Sequence, residues 1–368
     1  MKRCAFLVGV LLSPALIAAD IPSPAVVSAE FIFETAPFKS CHASTLVETK
    51  SGLVAAWFGG THEGAGDVKI WVAKNANGRW SDPKEVAHAV PFKQEHIDPN
   101  VQELPRTNSC WNPVLFRPTV GSLMLFYKIG TSPSLWSGML RTSTDDGESW
   151  SDEKPLPQDV LGPIKNKPVQ LANGDIISPS STESYAMGSN WRARFEISSD
   201  NGKTWRIVDP PEDKAGKKGK PLNAIQPSIL MLNGRLAAVG RTREGSIFET
   251  FSNDNGASWT PLSLTQLPNP NSGTDAVTLK DGRHVLVYNH TAKGRSPLNV
   301  AVSKDGIEWS AALVLESEPG EYSYPCVIQT SDEKIHIAYT WHRSKIKHVV
   351  LDPKKLELTP MVDGAWPK

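Results

Sequence analysis

Two arginines, Arg241 and Arg295, stand at the ends of short apolar runs. A guanidinium makes a permanent, two-pronged contact with a carboxylate, so such positions suit recognition of an acid. His42 titrates near neutral pH, which fits it to serve as a base, an acid or an imidazolium that binds an anion. Glu63 and Asp67 close the loop Thr61-His62-Glu63-Gly64-Ala65-Gly66-Asp67 and offer carboxyls for proton transfer. Tyr322 and Tyr324 open a late apolar run, two residues apart and therefore on one side of an extended strand. Further polar groups gather at Asn108, Trp111 and Asn112, at Lys165 to Lys167, at Ser180 to Glu183, and at Asn271 with Asp275. Trp57, Trp111 and Trp341 have flat faces on which a sugar can stack. No phosphate-binding loop, dinucleotide glycine fingerprint or metal-binding histidine pair accompanies them, so no cofactor and no metal are expected.

The elements that must position these groups are written in a repeat. Ser143, Asp145, Gly147, Ser149 and Trp150 share their spacing with Ser198, Asp200, Gly202, Thr204 and Trp205, and with Ser252, Asp254, Gly256, Ser258 and Trp259. Ser303, Asp305, Gly306 and Trp309 form a shortened copy, and Asn75 to Trp80 a worn one. In such a turn Asp accepts nearby backbone amides, Gly takes positive φ, and the Trp ring plugs the space beneath. Alternating or apolar runs such as Leu123 to Phe126 and Leu236 to Val239 precede the boxes and read as strands of hairpins. One small sheet cannot bury its own faces, so the units must pack around an axis. A period of roughly 55 residues over roughly 350 predicts an all-β, six-bladed β-propeller with Asp-box hairpins.

Asp-boxes on a six-bladed plan resemble the sialidase (neuraminidase) superfamily. The strings Cys41-His42-Ala43-Ser44, Trp57-Phe58-Gly59-Gly60, Ser109-Cys110-Trp111-Asn112-Pro113 and Tyr322-Ser323-Tyr324-Pro325 are similar to its predicted-neuraminidase branch. The resemblance implies an exo-acting glycoside hydrolase on carboxylate-bearing sugars. By it, Arg241 and Arg295 correspond to two of the three arginines that hold the substrate carboxylate. Tyr322 corresponds to the nucleophile, with Tyr324 as the alternative, and Glu63 and Asp67 occupy the loop of the acid/base. Trp111, Asn112, Gln226 and Asp275 are expected to contact substrate. A phenol suits attack on a carbon bearing a carboxylate, because it escapes the repulsion an acidic nucleophile would feel. Two departures are plain. His42 stands where the family has its first arginine, and is expected to replace it. Gln226 stands where the family has a glutamate, and an amide cannot take the nucleophile's proton.

Those departures keep two further functions open. One is a uronate-directed lyase, with His42 abstracting the proton beside the carboxylate, an arginine neutralising that group and Tyr322 as acid. The other is a non-catalytic glycan-binding propeller. Lys2 and Arg3, the apolar run Cys4 to Ala18 and the small Ala18 and Ala19 predict a signal peptide over 1–19, leaving 20–368 as a secreted or periplasmic propeller. With 39 basic and 39 acidic residues the net charge is zero, so no global field draws nucleic acid or a membrane surface. No later apolar stretch is long enough for a membrane span. The expected partner is an acidic glycan. Beyond the signal, Cys41, Cys110 and Cys326 are too few and too scattered for a metal motif.

Overall fold

The computed structural model describes residues 23–89, 108–184 and 190–367, so the expected signal segment lies outside the described residues. Six antiparallel sheets follow one another along the chain. Blade 1 contains Ser40–Thr49, Gly52–Gly60 and Lys69–Ala76, with Arg79–Trp80 and Lys84–His88 outside them. Blade 2 is Ser109–Phe116, Leu123–Gly130, Trp136–Ser143 and Lys154–Pro155. Blade 3 is Val169–Gln170, Ile176–Ser184, Asn190–Ser198 and Arg206–Val208. Blade 4 is Ala224–Leu232, Arg235–Thr242, Ser246–Ser252 and Ser263–Pro268. Blade 5 is Asp275–Thr278, His284–Tyr288, Leu298–Ser303 and Trp309–Glu316, extended by Thr359–Pro360. Blade 6 is Tyr322–Gln329, Ile335–Trp341 and Lys345–Leu351, and its outer strand is Val26–Phe31 from the other end of the chain. The first strands of blades 4, 5, 6, 1 and 2 touch one another in turn, and blade 3 meets the first strand of blade 4 through Ile176–Ser184. This is a six-bladed β-propeller.

The boxes form as their residues dictate. Ser143 Oγ donates to Asp145 Oδ1 at 2.8 Å and accepts the Gly147 amide at 2.8 Å, while Asp145 Oδ1 accepts the Ser149 amide at 2.9 Å. Ser252 and Asp254 repeat the pattern, and Ser303 with Asp305 keeps it in the shortened copy. The tryptophan does more than plug its own turn. Trp259 stacks on Phe195 of the preceding blade at 3.7 Å, and Trp205 meets Phe126 edge-on at 6.2 Å. Each of these boxes therefore staples one blade to the last.

Near the axis a single carboxylate ties four blades. Asp275 of blade 5 is 1% exposed. It accepts Lys167 Nζ at 2.9 and 3.1 Å, Ser228 Oγ at 3.0 Å, the Ala276 amide at 2.9 Å and the Val327 amide at 2.8 Å. Lys167 leads into blade 3, Ser228 belongs to blade 4 and Val327 to blade 6. Cys41, Cys110 and Cys326 are buried free thiols, and burial raises the pKa of each.

Candidate active site

In each blade the first and third strands run the same way, so the start of the first strand lies opposite the Asp-box that follows the third. At that starting end, four innermost strands carry the same irregularity. Register slips after His42, Trp111, Ile225 and Ser323. The next residues, Ala43, Asn112, Gln226 and Tyr324, have φ of 56°, 34°, 57° and 52°. Pro113, Pro227 and Pro325 follow three of them and give no amide to the ladder, as suits a bulge. A bulge re-aims the side chain it carries.

Tyr324 is at the centre. Its hydroxyl accepts Arg241 Nη2 at 3.2 Å and Gln226 Nε2 at 3.4 Å. The guanidinium carbons of Arg241 and Arg295 lie 5.4 and 5.8 Å from its ring centre, and Lys165 Nζ lies 5.6 Å away. The His42 ring packs on it at 4.1 Å. Gly273 permits this crowding, since a Cβ there would meet the Tyr324 ring at 3.0 Å and Lys165 at 3.1 Å. Arg241 and Arg295, far apart in sequence, thus converge on one phenol.

The cluster is short of partners. His42 Nε2, Gln226 Oε1, Arg241 Nε, Asn271 Oδ1 and Arg295 Nη1 are buried and have no hydrogen-bond partner among the described residues. Buried polar atoms are rarely left unpaired, and a group of them marks a place for a ligand. The charge there is positive. Burial, followed by Arg343, Arg295, Arg241 and Lys165, pushes the His42 pKa well below its ordinary value. Lys165 is brought down by burial to about 8, and its ammonium is spent on Asn166 Oδ1, Thr274 O and Pro325 O.

Several expected residues take other places. Tyr322 does not share a side with Tyr324, because the bulge between them breaks the alternation. Its ring lies in the apolar layer with Val287, Leu298 and Tyr339, and its hydroxyl is 3.3 Å from His342 Nε2. Its amide donates to the Arg295 carbonyl at 3.1 Å, so it supports Arg295 from behind. His42 cannot replace an arginine as a cation, since its buried position among cations keeps it neutral; its Nδ1 is 2.9 Å from Thr340 Oγ1. Asp275 has its oxygens filled by the axial clamp. Trp111 donates to the Gly130 carbonyl and packs on Trp136 under the loop 61–67. Asn112 stays at its bulge, 4% exposed. Asp67 folds back on Thr61, whose hydroxyl and amide lie at 2.6 and 3.1 Å, and these bonds hold its carboxyl below the usual range. Glu63 turns to Arg343, 2.5 Å away.

Arg343 escaped the sequence reading, as did Glu321. Arg343 lies in the turn between Ile335–Trp341 and Lys345–Leu351, two residues past the strand, whereas Arg243 directly follows Arg235–Thr242. No repeat position in the sequence marks it. Glu183 adds a carboxyl at the rim. It faces Trp191 across its hairpin, Arg241 covers that indole at 5.0 Å, and burial raises the Glu183 pKa.

Comparison with known proteins agrees with this architecture. The BNR repeat-like domain model matches residues 51–337. A sialidase of Bacteroides fragilis (strain YCH46) is 24% identical over 283 residues, covering 71% of this chain and 49% of its own. An anhydrosialidase of Macrobdella decora is 24% identical over 266 residues, covering 61% of this chain and 33% of its own. The chain thus spans half or less of the length of these curated relatives. The K499G mutant of the NanB sialidase from Streptococcus pneumoniae superposes with a TM-score of 0.69 at 15% identity, over 91% of this chain and 71% of that one. At that identity the likeness speaks for the fold. The repeats, the six blades and the family match together make this chain a member of the BNR repeat-like domain family, within the sialidase superfamily.

Proposed function

We propose that the protein is a sialidase-type glycoside hydrolase that releases terminal carboxylate-bearing sugars. The observation that carries this reading is the set of buried polar atoms around Tyr324 that have no partner among the described residues, with two guanidinium groups 5.4 and 5.8 Å from the phenol ring. A substrate carboxylate between Arg241 and Arg295 would place the anomeric carbon over the Tyr324 hydroxyl. Two donors already point at that oxygen and stabilise charge developing on it as its proton leaves. Neutral His42, packed on the phenol, accepts that proton in place of the absent glutamate once the bound carboxylate offsets the cations that disfavour its imidazolium. Asp67 is held ionised and makes a poor donor, so Glu183, whose burial favours the protonated form, protonates the departing oxygen. Tyr324 bonds to the sugar as the glycosidic bond breaks, and water then releases it.

A second reading is favoured by one observation: a neutral histidine beside a tyrosine, with an amide at Gln226, suits proton abstraction and elimination from a uronate. One experiment separates the two. Sialosides and uronate-containing oligosaccharides are incubated with the protein in oxygen-18 water and the products weighed. Label in the released sugar supports hydrolysis. An unsaturated product overturns it in favour of the lyase, and an intact panel reduces the protein to a glycan-binding propeller.

A further inference from the structure

Blade 3 opens on a strand of two residues, Val169–Gln170, whereas the first strands of the other blades have four to ten. Just before it, Lys165, Asn166 and Lys167 reach across the axis to the other blades. Asn166 Nδ2 donates to the Gln226 and Pro227 carbonyls of blade 4 at 2.9 and 3.1 Å. Lys165 Nζ donates to the Pro325 carbonyl of blade 6 at 2.6 Å, to the Thr274 carbonyl at 2.9 Å and to Asn166 Oδ1 at 2.7 Å. Gln226, Pro227 and Pro325 lie inside bulges, where the pairing register skips them. The segment thus supplies bonds that strand pairing withholds from these buried carbonyls.

The root of the segment is fixed as well. Lys128 Nζ donates to the Pro163 carbonyl, and Glu196 accepts the Leu161 and Gly162 amides at 3.0 and 2.7 Å. Lys165 is 4% exposed, and its hold on Pro325 acts on the residue next to the phenol. An ammonium has three N–H donors, one for each of these three acceptors, whereas the neutral amine has two and a lone pair. Burial brings the Lys165 pKa down to about 8, with Lys167 and Arg241 adding to the fall and Asp275 and Cys326 opposing it. Lys128, the other buried amine of the segment, is brought by burial to about 7.

We propose that Lys165 is a positioning residue for Tyr324: its ammonium, by holding the Pro325 carbonyl, fixes the bulge that aims the phenol into the pocket. Loss of its proton leaves one of three acceptors unserved and loosens that bulge. The kinetic consequence rests on the hydrolase reading above, but the placement of the phenol is measured without turnover.

The full chain is prepared with tyrosine labelled by carbon-13 at Cζ. It has six tyrosines, and the Tyr324 signal is the one lost in Tyr324→Phe. That signal should shift with an inflection near pH 8, and Lys165→Met should abolish the inflection. Lys165→Gln, which keeps two donors, serves the same purpose should Lys165→Met not fold. With a fluorogenic aryl sialoside, wild-type kcat/KM should fall above about pH 8, since it reports the free protein. The variant should lose that limb and turn over about ten- to a hundredfold more slowly with KM little changed, as displacement of a reacting group predicts. A Tyr324 signal without the inflection, or one that keeps it in the variant, overturns the proposal whatever the activity. So does a kcat/KM that runs level through pH 8. If the inflection is present and depends on Lys165 but no sialoside is cleaved, the hydrolase reading falls and the hold of Lys165 on the phenol stands.

Discussion

Replacing Asp275 by Asn separates a structural clamp from a ligand contact. The carboxylate accepts from Lys167, Ser228, Ala276 and Val327 while 1% exposed. An asparagine of the same shape turns one acceptor into a donor. Ser228 can rotate its hydroxyl to adapt, but Lys167 and two backbone amides have no acceptor chemistry to offer. One orphaned amide costs about 1–3 kcal/mol. Removing one partner of a buried ion pair costs about 3–5 kcal/mol, and the 17% exposure of Lys167 returns part of that to water. The sum expected is about 3–5 kcal/mol, or on the order of 5–10 °C in melting temperature for a chain of this size. Calorimetric melting of the variant, paired with titration of an acidic sugar, provides the assay. The expected variant is less stable yet, below its melting point, still binds. A variant that melts within about 1 °C of the wild type but no longer binds would refute the clamp and restore Asp275 as a substrate contact.

The other perturbations address the site and the acid limb. Tyr324→Phe should lower kcat/KM by about a thousandfold or more, whereas Tyr322→Phe should cost less than about tenfold, because only the former hydroxyl meets Arg241; the reverse order in steady-state assays would reinstate Tyr322. Gln226→Glu should leave hydrolysis intact or raise it, since a carboxylate beside the phenol restores a base; a fall in turnover with an unsaturated product points to elimination. His336 is pulled down to about 4 by burial and then by His348. The unfolded chain therefore binds the extra proton first, and this contribution to stability is present above about pH 6.5 and is lost as pH falls toward 4. Urea melts between pH 7 and 4 should show that slope, and His336→Phe should reduce it by the share of one proton, since His42, His284 and His290 are lowered too.

The architecture was legible because Asp-box chemistry is local. Ser143, Asp145 and Gly147 make their bonds within one turn, so each copy announces its hairpin and their spacing counts the blades. The pocket was legible only in part. Arg241 lies at the end of its strand as its neighbours suggested, whereas Arg295 lies in the loop before Leu298–Ser303, and Tyr322 was read by alternation, which fails at a bulge. The dipeptides Asn112-Pro113, Gln226-Pro227 and Tyr324-Pro325, each inside an apolar strand, are the trace of that bulge. Read together they would have chosen Tyr324. The clamp at Asp275 was hidden for a different reason: its partners come from four blades, and nothing adjacent in sequence predicts those from the other three. Of the roles the sequence left open for His42, the cationic one is disfavoured first by burial and then by Arg343, some three hundred residues away, and the other cations around it, none of which its neighbours in sequence reveal.

The strand Val26–Phe31 closes blade 6, with Ala29 opposite Val349, so the first strand of the ring is held by one of the last to be made. Joining ends so distant costs little in equilibrium stability, because loop-closure entropy grows only with the logarithm of length. It costs time, since non-local pairings form late. Until they form, Lys345–Leu351 is an open edge flanked by the apolar faces of Ile337 and Val349. Such an edge accepts any matching strand. During refolding at high concentration, Val26–Phe31 of a second molecule can close the ring as well as the chain's own copy does. Refolding at high concentration is then expected to yield a strand-exchanged dimer, two intact propellers linked through their closing strands, which size-exclusion chromatography would detect.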